Sequence, residues 1–401
     1  MSIVSPNKIY DDFRQGKLTK GQTSDSLISL VENTIELDAE SKIVIIKLLA
    51  LVGANDKKVF KFLEHLLISD LNDLVRGNTA YVIINNFSDL AFEPIKWALE
   101  HEESETSIIL IIKALKKTNN FKLKSLLNTI EYVEYEGKIL LPFGTEQIIN
   151  LSSQNIVNLS RVKGLGNLIN LNKLHLSFNK ITELIGLDNL INLKSLHLQG
   201  NRLRKIKGLD QLKNLEYLYL NNNEITMIQG ITSLSSLKSL MIYDNQIPEI
   251  QKLEHLSNLE ILNLRNNRIS EIKGLKNLKN LRRLDLSNNK ITEIKNLDKL
   301  GNLEFLDLSY NQITEIKGLD NLNNLKFLDL RNNKITAIKQ LNILKQLQHL
   351  YLGFNKISIA GINEELNQEN TLDTLGIDGK NISRSLFDFF YKYGLGKNST
   401  N

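Results

Sequence analysis

The feature that most constrains this chain is a period. From Leu171 the sequence repeats every 22 residues. The first clear unit is LNKLHLSFNKITELIGLDNLIN (171–192), and others begin at Leu193, Leu215, Leu237, Leu259, Leu281, Leu303, Leu325 and Leu347. The units carry L-x-x-L-x-L-x-x-N-x-I/L-x-x-I, and most continue x-G-L/I-x-x-L. A unit this short cannot bury an apolar face alone, so successive copies must stack into a solenoid.

The pattern can be read position by position. In Leu174-His175-Leu176 alternate side chains point to one side, which predicts a short strand per unit and one parallel sheet across units. The Asn at position nine ends the strand. Its amide is expected to bond the backbone of the turn, because a buried turn must satisfy its N–H and C=O groups. The series is Asn179, Asn201, Asn223, Asn245, Asn267, Asn289, Asn311, Asn333 and Asn355. Position sixteen is a turn glycine on the convex side at Gly186, Gly208, Gly230, Gly274 and Gly318. Lys252, Asn296 and Gln340 replace it elsewhere, which argues against a left-handed backbone at those three. On the convex side Glu at position thirteen and Lys at fifteen alternate in sign and read as a solvated face.

The array is assigned to residues 149–370. A longer first unit (146–170) precedes the regular ones. Residues 133–141 (VEYEGKILL) read as a hairpin turning at Glu136-Gly137 and covering the first edge, within a linker and cap at 132–148. NTLDTLGIDGKNIS (370–383) reads as a decayed last repeat. A helix at 383–394 would then seal the core with Leu386, Phe387, Phe389, Phe390 and Tyr393, inside a C-terminal cap and tail at 371–401. Docking a partner is the other use such a helix has.

Residues 1–19 read as a tail and 20–131 as helices. Thr23 or Ser24 is the expected first cap, and helices follow at 41–52, 57–68, 71–86, 89–100, 106–118 and 121–130. The stretch DLVRGNTAYVII (73–84) resembles the second-helix pattern of HEAT repeats. That resemblance implies a small α-solenoid.

The 22-residue unit resembles the short class of leucine-rich repeats. This implies an α/β solenoid, a horseshoe with a parallel sheet on its concave face, that binds protein. The class includes the leucine-rich regulatory subunit of type-1 protein phosphatase, which binds its enzyme on the concave face, and the internalins, bacterial surface proteins that bind host receptors. The chain shows no secretion signal and no wall-sorting tail, which argues against an internalin-type adhesin.

Composition narrows the function further. Lys+Arg 50 against Asp+Glu 45 gives a formal charge of only +5, with signs interleaved, so nucleic acid is not the expected partner. Cysteine is absent, which removes disulfides, thiolate metal sites and a Cys nucleophile. No apolar run is long enough to span a membrane. Together with the missing signal this makes a cytoplasmic protein, without membrane association, the expectation. No H-E-x-x-H, G-x-x-x-x-G-K-[ST] or G-x-S-x-G motif occurs, so neither an enzyme nor a cofactor is expected.

The candidate site is the concave face, where positions three, five and seven point to solvent. A first zone holds Tyr217, Tyr219, Met241, Tyr243 and Ile261. A second holds an acidic stripe, Asp285, Asp307 and Asp329, flanked by Phe305, Phe327, Arg265, Arg283 and Arg331. His175, His197, His349 and Tyr351 complete the set. His175 and His197 lie 22 residues apart, a spacing open to a metal or a pH sensor, but a third ligand is missing and they read as polar members of the face. Tyr, Phe, Met and Arg dominate interface hot spots. Stacked carboxylates repel, so a cationic partner group would relieve them. Ten strands span roughly 40 Å, enough for a standard interface of about 800 Å² per side. The expected partners are one or more proteins, bound by a monomeric scaffold or regulatory subunit. The alternative is a regulator of a phosphatase or of a small GTPase, with Arg265, Arg283 or Arg331 completing the enzyme's site.

Overall fold

The computed structural model describes residues 5–34, 37–53, 56–338, 341, 343–357 and the backbone of 374–376. The chain divides into two compact units: Met1–Tyr132 with Lys138–Leu141, and Val133–Gly137 with Pro142–Asn401.

The first unit is helical. Pro6–Arg14 forms α1, so the middle of the stretch read as a tail is a helix. Ser5 caps it by accepting from Lys8 N–H, Pro6 stands where a missing N–H costs nothing, and Ile9 is buried in the helical core. Lys20–Asn33 is α2. Its cap is Thr19, which forms a reciprocal capping box with Gln22. Thr23 and Ser24, the expected caps, lie inside the helix and donate to the carbonyls of Thr19 (2.8 Å) and Lys20 (3.0 Å). Then come Ala39–Val52 (α3), Lys57–Ser69 (α4), Asp73–Asn86 (α5), Phe92–His101 (α6), Glu105–Lys117 (α7) and Phe121–Lys124 (α8). The last helix passes into a tight 3-10 turn at Ser125–Thr129 instead of running to residue 130.

Helix α5 packs against α3, α4 and α7. Gly77 permits the close approach of α7: a Cβ there would stand 2.6 Å from Leu110 Cδ1 and 3.1 Å from Ser107 Cα. The D-x-V-R start of α5 ties loops together. Arg76 donates to Glu102 (2.8 and 2.7 Å) and to the carbonyl of Asp70 (2.8 Å), and Asp73 accepts from Ser104 Oγ (2.6 Å). Burial alone would raise the Glu102 pKa. Bonds from Arg76 and from the Ser104 N–H outweigh it and hold the carboxyl below its usual range.

Val133–Tyr135 (β1) and Lys138–Leu140 (β2) form the hairpin expected at 133–141, turning at Glu136 and Gly137, both with positive φ. It does not pair with the first strand of the array. Glu134 instead exchanges two backbone bonds, 2.9 and 3.0 Å, with Lys163.

The second unit is built from three-residue strands. They are Ile148–Asn150 (β3), Lys173–His175 (β4), Ser195–His197 (β5), Tyr217–Tyr219 (β6), Ser239–Met241 (β7), Ile261–Asn263 (β8), Arg283–Asp285 (β9), Phe305–Asp307 (β10), Phe327–Asp329 (β11), His349–Tyr351 (β12) and Thr374–Gly376 (β13). All pair in parallel with their neighbours in sequence to form one eleven-stranded sheet. Leu174 faces Leu196, and Leu306 faces Leu328, one 22-residue unit on. At the ends Ile149 faces Leu174 and Leu350 faces Leu375, so both terminal steps are 25 residues (174 − 149 and 375 − 350). The sealing helix expected at 383–394, and most of the decayed repeat at 370–383, lie outside the described residues.

The asparagines do more than end each strand. Asn201 Nδ2 donates to Leu198 O in its own repeat (3.0 Å) and to Leu176 O in the previous one (2.9 Å). Its Oδ1 accepts from Ile181 N–H, also in the previous repeat (2.9 Å). The same set recurs down the array, so a buried polar ladder stitches repeat to repeat. At position sixteen the backbone is left-handed at Gly186, Gly208, Gly230, Gly274 and Gly318, as the turn requires. It is left-handed at Lys252 (φ +60°) and Asn296 (φ +61°) too, against expectation. The turn is set by the stacking of neighbours, and Asn296 fits by donating to Ile272 O at 2.7 Å. Gln340 lies outside the described residues.

Candidate binding face of the repeat array

Within each strand the middle residue turns into the core, and its two neighbours turn to the concave face. Each candidate residue lies on these strands or just after them. Tyr217, Arg265, Arg283 and Arg331 are exposed. His175, His197, Tyr219, Met241, Tyr243, Ile261, Asp285, Phe305, Asp307, Phe327, His349 and Tyr351 are half-buried. Asp329 departs from the expectation, being only 1% exposed. Ser195 and Ser239, also at position three, are buried too.

The N-terminal zone is a column of rings in which the two histidines take part. His175 stacks on His197 with centroids 4.2 Å apart and planes 6° from parallel, and His197 stacks on Tyr219 at 4.3 Å. Ser195 Oγ lies 3.0 Å from His197 Nε2. Burial first, then the charges of His175 and Lys173, push His197 down to about 4; burial and Lys173 lower His175. Both rings are therefore neutral at pH 7. Tyr217 and Phe178 are exposed in this zone.

The C-terminal zone places aromatics beside carboxylates. Phe305 and Phe327 stack at 4.3 Å, and Phe327 meets Tyr351 at 5.4 Å and His349 at 6.2 Å. The guanidinium of Arg283 lies 4.2 Å from the centre of the Phe305 ring, and that of Arg331 5.0 Å from Tyr351. The three aspartates occupy one register line but not one environment. Arg331 clamps Asp329 through Nε, at 3.0 and 2.9 Å to its two oxygens, with Nη2 adding a third bond. Asp285 and Asp307 accept only from Ser287 and Ser309, hydroxyl and backbone N–H. Burial, opposed by the Ser309 bonds and reinforced by the flanking aspartates, pushes Asp307 up to about 6. Among the described residues the acidic stripe is thus one neutralised carboxylate and two without a cation. Of the three arginines considered for a partner's active site, Arg331 is engaged in this clamp.

Position eight carries a feature that the sequence pattern does not announce. In all nine repeats it is left-handed: Phe178, Gly200, Asn222, Asp244, Asn266, Asn288, Tyr310, Asn332 and Phe354. Asn, Asp and Gly accept that conformation readily, whereas a bulky aromatic is an outlier there. Phe178, Tyr310 and Phe354 nevertheless hold it while 65%, 58% and 47% exposed. The ring of Phe178 lies against Gly200, where a Cβ would be 2.7 Å away.

On the convex side the Glu/Lys positions form exposed rungs between repeats: Lys273 with Glu249 (2.7 Å), Lys295 with Glu271 (3.0 Å) and Lys317 with Glu293 (2.9 Å). Such pairs add little to stability. Among the described residues no three His, Asp or Glu side chains converge as metal ligands, and no helix is long and apolar enough to cross a membrane.

The repeat pattern described as "Leucine Rich repeats (2 copies)" matches residues 169–368 in eight overlapping windows. No curated protein matches the chain. Among solved structures the chain is similar to an internalin (inlF) of Listeria monocytogenes, with 28% identity over 56% of this chain and 72% of that one, and a TM-score of 0.51. It is also similar to internalin C2 (inlC2) of the same organism, with 26% identity over 55% and 87% of the two chains and a TM-score of 0.41.

Proposed function

From the premise that residues 169–368 are an array of the leucine-rich repeat family, we propose that this chain is a non-catalytic scaffold or regulatory subunit that binds a partner protein on its concave face. The observation that carries the reading is the set of aromatics held on the short strands or, exposed to solvent, three residues after them. The fold does not call for them. Position eight accepts Asn in four repeats, yet Phe178, Tyr310 and Phe354 stand there in left-handed backbone, exposed. Conformational outliers of this kind point towards function, because selection for folding alone would remove them. Side chains already held by stacking lose little freedom on binding, which favours affinity.

Partner capture from lysate tests the proposal, using wild type beside the triple variant Tyr219→Ala/Asp307→Ala/Phe327→Ala. A protein retained by wild type and lost by the variant supports the reading. Equal retention by both moves binding off the concave face.

A further inference from the structure

The three register-matched aspartates provide an internal comparison. At Asp329 the residue two positions on is Arg331, and its guanidinium satisfies a fully buried carboxylate from both oxygens. At Asp285 and Asp307 the same position is Ser287 or Ser309, which supplies a hydroxyl and no charge. The two carboxylates sit on adjacent paired strands, roughly 4.8 Å apart by strand spacing, and are only partly open to water. Beside them the Phe305–Phe327 stack already carries one guanidinium, that of Arg283 over the Phe305 ring. The chain therefore displays, within itself, both contacts a guanidinium makes at this place: a planar fork onto an aspartate and a face-on contact with a ring. Tyr310, in the repeat of Phe305 and Asp307, and Phe354, in the repeat after that of Asp329, add strained, exposed aromatics to this end of the array.

We propose that β9–β11 receive an arginine side chain of a partner protein, its guanidinium seated on Asp285 and Asp307 beside the Phe305–Phe327 stack. The assignment rests on the concave-face reading and names the chemistry of its partner. The arginine supplies in trans what Arg331 supplies in cis. The Asp307 carboxyl, pushed up to about 6 by burial and by Asp285 and Asp329, gains most from the incoming charge. A planar bidentate group is favoured over an ammonium because both carboxylates and a ring edge must be met at once.

The test is fluorescence anisotropy of the full chain with a fluorescein-labelled peptide carrying two arginines between phenylalanines, and its twin with citrulline in place of both arginines. Wild type is expected to bind the arginine peptide at least about tenfold more tightly than the citrulline peptide. Asp307→Asn should bring that ratio below about threefold. Ser309→Arg should do the same by placing on Asp307 the guanidinium that Arg331 places on Asp329; Arg265 and Arg331 show that position seven accepts arginine. Absence of saturable binding by wild type, equal affinity for the two peptides, or a ratio unchanged in both variants overturns the assignment. If any of these occurs while the Tyr219/Asp307/Phe327 triple variant still loses its captured partner, the arginine assignment falls and the concave-face reading stands.

Discussion

Replacing Asn289 by alanine tests the ladder that holds the repeats together. Its amide nitrogen donates to Leu264 O (3.0 Å), Leu286 O (3.0 Å) and Ser287 O (3.1 Å), and its oxygen accepts from Ile269 N–H at 3.0 Å. The side chain is buried, so alanine leaves these groups without partners where water does not reach freely. A buried polar group left unpaired costs about 1–3 kcal/mol, and the losses within one network are not additive. The carbonyls retain other partners in part, which leaves a net destabilisation of roughly 3–5 kcal/mol. With a urea slope of about 2–3 kcal/mol/M, the midpoint falls by about 1–2.5 M. Far-UV circular dichroism follows the whole chain, and Trp97, the single tryptophan, reports the helical unit by fluorescence. The exposed neighbour Lys290→Ala is the control and should stay within about 0.5 kcal/mol. A loss below about 1 kcal/mol for Asn289→Ala would refute the ladder as a structural device.

Two glycines with nearly the same φ should respond differently. At Gly208 a Cβ would stand 2.0 Å from Leu184 O, whereas at Gly186 nothing lies within 4 Å. Gly186→Ala should cost about 1–2 kcal/mol from the left-handed backbone alone and Gly208→Ala clearly more; equal losses in urea melts would remove the steric argument. The pH dependence of stability contains two opposed contributions. His197 is depressed to about 4, so the stability it adds is present above pH 6.5 and is lost as pH falls towards 4. Asp307 is raised to about 6, so its ionisation weakens the fold as pH rises from about 4 through 6. Discounting the half-exposed imidazole for solvent screening, His197→Gln should cut the stability difference between pH 7 and 4.5 by about 1–2 kcal/mol, and Asp307→Asn should widen it; melts shifting the other way would contradict these environments. Tyr219→Ala and Phe327→Ala should each weaken partner binding by about 1–3 kcal/mol with the melting temperature kept, as read by calorimetry on the captured partner. Unchanged affinity in both would count against the face.

Much of the fold is legible from a single string because the repeat states the same constraint nine times. Leu at positions four and six, Asn at nine and Ile at fourteen each fill one slot, so strand, turn and register follow together. What the period averages over is harder to read. The left-handed position eight is masked by its own variety, since Asn and Gly suggest it while Phe178, Tyr310 and Phe354 argue against it. The three aspartates look equivalent in sequence, and only the identity of the residue two places on separates the clamped Asp329 from Asp307. The ring column runs from Tyr219 to the histidines because parallel register puts position five against position five, which the pairing of His175 with His197 already implied. In the helical unit, Ser5 before Pro6 is a readable start signal for α1. That helix has a single fully buried residue, Ile9, too sparse for periodicity to reveal.

On the proposed reading the concave face, and not the convex one, meets the partner. A photo-crosslinking residue placed in turn at positions 219 and 327 on the strands, and at 207 and 295 on the convex side, tests it directly in a lysate. One partner band is expected from both strand positions and none from the convex pair. The same band from 207 and 295, with none from 219 and 327, would contradict it.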